Sequence, residues 1–142
     1  MPRITETATI GLDPETLWEE IGAFGSVGDW HPMLNSVAVF GEGTGAIRVA
    51  FGNEGAAMAE RLQALDPQRH LYRYTVEETS MPVCDYSGEF RIDPAGDSAS
   101  TVVWSAQFEL TPDGDGKTVE AVRHFLHAGT ESLRRRFSDS CA

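Results

Sequence analysis

The segment KTVEAVRHFLHAGTESLRRRF, residues 117–137, has a different periodicity from the rest of the chain. Its apolar and small residues recur at spacings of three and four, which is typical of one face of a helix: Val119, Val122, Leu126, Gly129, Leu133 and Phe137. Three arginines follow in the last turns, where positive charge complements the helix dipole. The segment therefore predicts one long C-terminal helix that packs a single face against the preceding part of the chain.

The chain before this helix alternates apolar and polar residues over short segments separated by turn residues, a pattern that predicts β-strands. We place these strands at residues 4–10, 37–40, 46–51, 58–65, 71–76, 86–92 and 102–110. After the first strand, Asp13 and Pro14 predict the start of a helix, and Gly25 and Gly28 predict its end.

This order of elements predicts an α+β fold, in which a curved antiparallel sheet packs against the long C-terminal helix. Because one helix cannot fill the whole concavity of a strongly bent sheet, we expect an apolar pocket beneath it.

Length and composition bound the class of protein. The 142 residues predict a single domain, residues 1–142, and a hydrophobic content of 41% is ordinary for a globular protein. A net charge of −11 argues against nucleic acid and anionic membrane surfaces as partners. No signal peptide and no apolar run of about 20 residues is visible. We expect a cytoplasmic monomer or homodimer with reduced cysteines.

Metal and nucleotide chemistry find little support in the sequence. His124 and His127 are three residues apart on the long helix, but no third ligand accompanies them, so we expect no metal site. The glycine-rich segment 41–45 lacks the lysine of a phosphate-binding loop and joins two strands instead. We expect no cofactor.

Four segments and the final helix together resemble the START-like (SRPBCC) superfamily: ATIGLDPETLWEEIGAFGSVGDWHP (8–32), AERLQALDPQRHLYRYTV (59–76), DYSGEF (85–90) and STVVWSAQFEL (100–110). Within it the chain resembles the bacterial polyketide cyclase/dehydratase and lipid-transport group, and more distantly the plant abscisic-acid receptors and the birch-pollen-allergen family. The resemblance implies the helix-grip fold, with two short helices near the N-terminus and a cavity for a small hydrophobic ligand. Because members include enzymes, carriers and receptors, it implies no single activity.

The resemblance also implies positions for several residues. The GDWHP segment, residues 28–32, would lie at the mouth of the cavity, with Trp30 in its wall and His31 near its entrance. The alternative is a core Trp30 and a solvent-facing His31. Asn35 stands where the receptors carry a cationic anchor, which argues against a carboxylate ligand. Loops 53–57 and 80–83 occupy the places of the receptors' mobile loops.

Strand alternation places Glu60 on the same side as Met58 and Leu62. If this side faces the interior, the carboxylate is costly unless it is paired or hydrogen-bonded, and it becomes a candidate general acid or base. In the receptors, the acid of a similar motif contributes to the polar network around the ligand. The alternative is that Glu60 faces solvent or pairs with an arginine such as Arg61 or Arg73.

Strand alternation, the facing side of the long helix and the loop at 80–83 give further residues that we expect to face the cavity. Tyr86 is the first candidate for ligand contact, as the like-placed tyrosine is in the receptors; alternatively it is a core tyrosine bonded to a backbone carbonyl. The mid-helix Gly129 is explained if another group must approach the helix closely. The remaining predicted ligand contacts are Phe51, Tyr72, Tyr74, Met81, Gly88, Trp104, Phe108, Ala121 and Phe125.

Two main functional hypotheses follow. The first is a protein that binds a small hydrophobic molecule, aromatic or polyketide-like, in the internal cavity. The second is an enzyme of polyketide cyclase/dehydratase type, in which Glu60, Tyr86 and His31 transfer protons while the cavity holds the folded substrate. A third alternative is an interaction module whose loops close over a ligand and recruit a partner.

Overall fold

The computed structural model describes residues 2–53 and 57–137. Within them lie the strands β1 (Arg3–Ile10), β2 (Leu34–Phe40), β3 (Ile47–Gly52), β4 (Ala57–Asp66), β5 (Leu71–Thr79), β6 (Val83–Pro94) and β7 (Ser100–Leu110). The helices are α1 (Pro14–Ile21), α2 (Val27–Trp30) and α3 (Gly116–Arg136). The strands form one antiparallel sheet in the order β1-β7-β6-β5-β4-β3-β2, and α3 contacts β1, β7 and α2. This is the helix-grip α+β fold that the sequence predicts.

Side chains cap the starts of both α1 and α3, as the sequence predicts for Asp13 at the first of them. The Asp13 carboxylate accepts a hydrogen bond from the backbone N–H of Thr16 at 3.1 Å. The Asp115 carboxylate accepts one from the N–H of Lys117 at 2.9 Å, and the side chain of Thr118 completes a capping box. These bonds satisfy N–H groups that have no partner within the helix, so α3 begins within one residue of its predicted position.

The two short N-terminal helices that the resemblance implies are present, but the bounds of the first differ from the prediction. The first helix ends at Ile21 rather than near Gly25, and a separate short helix, α2, contains most of the GDWHP motif. The Ser26 hydroxyl lies 2.7 Å from the carbonyl oxygen of Ile21 and supplies a donor to the end of α1. A turn therefore separates the two helices, and β2 begins at Leu34, three residues earlier than predicted.

Irregularities in strand pairing bend the sheet. The register between β4 and β5 shifts at Ala59/Glu60, and that between β6 and β7 shifts at Cys84/Ser87. Such bulges increase local twist and bend the strand. The sheet thereby forms the concave surface on which α3 lies.

The two halves of α3 pack differently on this surface. In the C-terminal half, a Cβ atom built on Gly129 would lie 2.6 Å from Trp104 Cζ3 and 2.8 Å from His31 Cδ2, so helix and sheet touch directly. In the N-terminal half, Ala121 and Phe125 face open space instead. The predicted gap beneath the helix is therefore present, but only under its first turns.

Candidate functional site

The gap is a cavity of about 430 Å³ between the N-terminal half of α3 and the concave face of the sheet. This volume lies within the range of about 300–1,000 Å³ that is typical of small-molecule sites. Its wall is mostly apolar, and its residues come from α2, β2 to β7, α3 and the loops at one end of the sheet: Val27, Met33, Leu34, Arg48, Ala50, Gly52, Asn53, Ala57, Met58, Glu60, Tyr74, Thr79, Ser80, Met81, Tyr86, Trp104, Ala121, Val122 and Phe125.

A buried ion pair is the main polar feature of this wall. Arg48 on β3 and Glu60 on β4 lie directly opposite each other across the strand pair, so both side chains point to the same face. Arg48 Nε donates to Glu60 Oε1 at 2.6 Å. Arg48 is 1% exposed and Glu60 is 7% exposed, so this is a buried ion pair in the cavity wall.

Further contacts hold the guanidinium of Arg48 in place. Its Nη1 donates to the carbonyl oxygen of Phe24 at 2.7 Å and to the Tyr72 hydroxyl at 3.1 Å. The planar group also stacks over the ring of Phe24, 4.3 Å from the centroid, and lies 4.8 Å from that of Tyr74. Burial acts to lower the pKa of Arg48, but the charge of Glu60 and the interactions with Tyr72 and Tyr74 together outweigh it and raise that pKa above the usual value.

Arg48 was not among the predicted site residues, because the alternation of β3 was expected to have the opposite phase. Phe51 was predicted to face inward, but it is 41% exposed, while Arg48 and Ala50 are buried. The rule that apolar residues face inward fails here because the inward arginine is paired. A signal was present: the cross-strand neighbour of an inward Glu60 must itself face inward.

The predicted alternative for Glu60, pairing with Arg61 or Arg73, names the wrong arginines. Arg61 pairs with Glu77 at 2.9 Å and Arg73 with Glu89 at 2.7 Å, both toward the solvent. Glu60 is thus buried as the alternation predicts, and its partner is Arg48.

Two tyrosines place hydroxyl groups near the ion pair. Tyr74 accepts a hydrogen bond from Trp104 Nε1 at 2.9 Å. Its ring crosses β6 at Gly88, where a Cβ atom would lie 2.2 Å from Tyr74 Cζ, so only glycine fits there. Tyr86 stacks on Phe108 with ring centroids 5.4 Å apart. Its hydroxyl has no hydrogen bond to any other described residue, so the alternative of a backbone carbonyl partner is not observed.

Burial also sets the protonation of these hydroxyl groups. It raises the pKa of Tyr86 above its usual value, and the negative charge of Glu60 adds to this effect. Burial likewise raises the pKa of Tyr74. Near neutral pH both phenols therefore keep their protons and can donate hydrogen bonds.

His31 neither faces solvent nor lines the cavity. It is 3% exposed, and its Nε2 lies 2.8 Å from the carbonyl oxygen of Phe125 while its Nδ1 accepts from the N–H of Met33 at 3.1 Å. Burial lowers its pKa to about 4, which favours the neutral ring that this bonding pattern requires. Both nitrogens bind backbone groups, so His31 connects the α2–β2 segment to α3.

The structure divides the predicted site residues into three groups. Those that line the cavity are Met58, Glu60, Tyr74, Met81, Tyr86, Trp104, Ala121 and Phe125. Those that are buried in the adjoining core without lining it are Trp30, His31, Leu62, Tyr72, Phe108 and the two close-approach glycines, Gly88 and Gly129. Asn35 and Phe51 are exposed.

Trp30 takes the core position that was its alternative, and the placement of Asn35 corrects the prediction. Trp30 stacks on Phe90 with centroids 5.7 Å apart and belongs to the core. Asn35 is exposed on the edge strand β2, so its lack of charge says nothing about the ligand. The cavity does contain a cation, Arg48, from a different strand.

The two predicted gating loops flank one end of the cavity. Asn53 and Ala57 line it at the first loop, whose residues 54–56 lie outside the described residues. Ser80 and Met81 line it at the second. Among the described residues, no helix is both long and apolar enough to cross a membrane.

The fold and the cavity define a helix-grip protein, and comparison with protein families gives the particular group. The family model described as polyketide cyclase/dehydrase and lipid transport matches residues 1–138. The chain belongs to this family. A search of curated proteins found no match.

Solved structures show the same fold over nearly the whole chain. The protein XoxI from Bacillus cereus is 24% identical with a TM-score of 0.92, and the match covers 100% of this chain and 99% of that one. The Zhui aromatase/cyclase from Streptomyces sp. R1128 is 21% identical with a TM-score of 0.83, covering 99% and 96%. Norcoclaurine synthase from Thalictrum flavum, in complex with dopamine and hydroxybenzaldehyde, is 15% identical with a TM-score of 0.72, covering 98% and 87%.

Proposed function

We propose that the protein binds a small, hydrophobic, ring-bearing molecule in the cavity between its sheet and α3. The observation that carries this proposal is a 430 Å³ space with a mostly apolar wall and a fixed polar group, the Arg48–Glu60 pair, within it. Apolar walls supply affinity and a few placed polar groups supply orientation. Trp104 and Phe125, at 5.7 Å between centroids, offer ring surfaces suited to a flat ligand.

The comparisons support a ring-bearing ligand. The norcoclaurine synthase structure contains dopamine and hydroxybenzaldehyde, two small ring compounds with phenolic hydroxyls, on the same fold. The Zhui protein is an aromatase/cyclase. We extend only the ligand class to this chain, since identities of 15% and 21% carry the fold alone.

Native mass spectrometry of the protein purified from its own host tests this proposal. We expect a bound molecule of defined mass that is released on denaturation. The matched sample is Ala50→Phe, which fills the cavity from β3; Ala50 is a buried lining residue. A copurified molecule that stays bound to a folded Ala50→Phe variant would place it elsewhere and refute the proposal.

A second candidate, an enzyme of polyketide cyclase/dehydrase type, is favoured by one observation: Glu60 and Tyr86 line the same cavity. The carboxylate would accept a proton and the phenol would donate one. Mass spectrometry separates this candidate from simple binding. A carrier holds a molecule of the same mass in the wild type and in Tyr86→Phe, whereas an enzyme that dehydrates its substrate holds the product, lighter by one water, in the first and the substrate in the second.

A further inference from the structure

The charge balance of the cavity restricts its ligand. Four of its lining residues are titratable: Arg48, Glu60, Tyr74 and Tyr86. Burial keeps both phenols protonated, so the formal charge of the wall is that of one arginine and one carboxylate. These two charges lie 2.6 Å apart and cancel.

Part of the hydrogen-bonding capacity of this pair is not used by the protein. Arg48 donates through Nε and Nη1, and Glu60 accepts through Oε1; within the described residues, Arg48 Nη2 and Glu60 Oε2 have no partner. Among those residues, Trp30 Nε1 is the one side-chain nitrogen or oxygen both fully buried and unpartnered. The spare atoms of Arg48 and Glu60 therefore contact open space, and the space that both residues line is the cavity.

A carboxylate ligand would be poorly matched to this arrangement. It would lose its hydration on entry, and an unbalanced arginine could compensate for this through a bidentate pair. Arg48 is already balanced by Glu60, whose charge would repel a second carboxylate at close range. An uncharged hydroxyl or carbonyl group loses less hydration and can use Nη2 as a donor or Oε2 as an acceptor.

We infer that the cavity selects an uncharged, hydroxyl- or carbonyl-bearing ring compound over its carboxylate analogue, and that Glu60 determines this selectivity by neutralising Arg48. The inference rests on the proposed function and names the ligand class of the same cavity. It assigns Glu60 a role in specificity that is independent of whether the protein catalyses a reaction.

The test is isothermal titration with three probes that share one ring system: naphthalene, 2-naphthol and 2-naphthoate. For the wild type we expect 2-naphthol to bind more tightly than naphthalene and at least about tenfold more tightly than 2-naphthoate. Glu60→Gln keeps the shape and frees the charge of Arg48, so the preference should reverse toward 2-naphthoate. The matched control is Glu77→Gln, which makes the same change in the partly exposed Arg61–Glu77 pair and should leave the preference unchanged.

The outcomes separate this inference from the proposed function. If none of the three probes binds the wild type, the proposed function fails. If naphthalene binds but the wild type takes 2-naphthoate as tightly as 2-naphthol, only the inference fails. The inference also fails if Glu60→Gln unfolds in a cooperative thermal transition, and so is folded, but keeps the wild-type preference for 2-naphthol over 2-naphthoate. Should that variant not fold, the comparison of 2-naphthol with 2-naphthoate in the wild type still tests the selectivity, and equal affinities overturn the inference.

Discussion

Arg48 and Glu60 face each other across β3 and β4, 2.6 Å apart, in the wall of the cavity. Among the residues that the structure describes, one oxygen of the Glu60 carboxylate and one nitrogen of the Arg48 guanidinium have no hydrogen-bond partner. The pair thus gives an apolar cavity one fixed, electrically neutral polar group. Its stability and its neutrality can be tested separately.

Breaking this ion pair should strongly destabilise the protein. Arg48→Met leaves Glu60 buried without its partner, and loss of one member of a buried pair costs about 3–5 kcal/mol. The double variant Arg48→Met, Glu60→Leu removes both charges and should recover most of that loss. The free energy of unfolding in urea measures both effects. Arg61→Met, at a partly exposed pair, should cost about 1 kcal/mol or less; an equal cost at the two sites would contradict the buried assignment.

His31 should make stability depend on pH. Its pKa is lowered from 6.5 to about 4 in the folded state, so the unfolded chain binds more protons in that interval. The contribution of His31 is fully present above pH 6.5 and is lost as the pH falls toward 4, by up to about 1.4 kcal/mol per pH unit.

The measurement is the free energy of unfolding from pH 7.5 to 4 for the wild type and His31→Gln. The variant should show a shallower decline below pH 6.5, because the group that titrates is gone. His124→Gln, at an exposed position of the same helix α3, is the control and should retain the wild-type slope. A His31→Gln slope equal to that of the wild type would show that the ring does not titrate as a buried group.

Gly129 should not tolerate a side chain. A Cβ atom there would lie 2.6 Å from Trp104 and 2.8 Å from His31, so Gly129→Ala should destabilise by about 1–3 kcal/mol through overpacking. This cost should outweigh the gain of about 1 kcal/mol in helix propensity. Gly116→Ala, in the first turn of α3 with no atom within 4 Å, is the matched control and should be neutral or stabilising in thermal denaturation. A stabilised Gly129→Ala would refute the close packing.

Tyr86 should contribute to ligand binding but little to stability. Its hydroxyl lines the cavity without a partner among the described residues, so Tyr86→Phe should weaken 2-naphthol binding by roughly two- to twelvefold, the value of one hydrogen bond. Tyr72→Phe makes the same change at a hydroxyl that bonds Arg48 outside the lining, and it should mainly lower stability. Equal affinities for wild type and Tyr86→Phe in calorimetry would remove Tyr86 from the site.

The fold could be predicted because it depends on local patterns. Residues 117–137 show helical spacing throughout, and α3 occupies Gly116–Arg136. Asp13 stands directly before Pro14, and it caps α1 as the sequence predicts. These signals come from neighbouring residues, so they can be identified without knowing what packs against them.

The site could be predicted only in part, because alternation separates inside from outside but not core from cavity. Trp104 and Trp30 are both buried, yet only Trp104 lines the cavity. An inward residue meets open space only where α3 lies away from the sheet. No local sequence pattern encodes the distance between the helix and the sheet. Arg48 was missed for a different reason, since its inward position is stabilised by Glu60, a residue on another strand.

The most direct test of the proposed cavity is 2-naphthol binding to two variants of one strand. Ala50 points into the cavity from β3 and Val49 lies next to it on the opposite face. We predict that Ala50→Phe weakens binding at least about tenfold by filling the space, whereas Val49→Phe binds like the wild type. Undiminished binding to a stably folded Ala50→Phe would contradict the claim that the ligand lies between the sheet and α3.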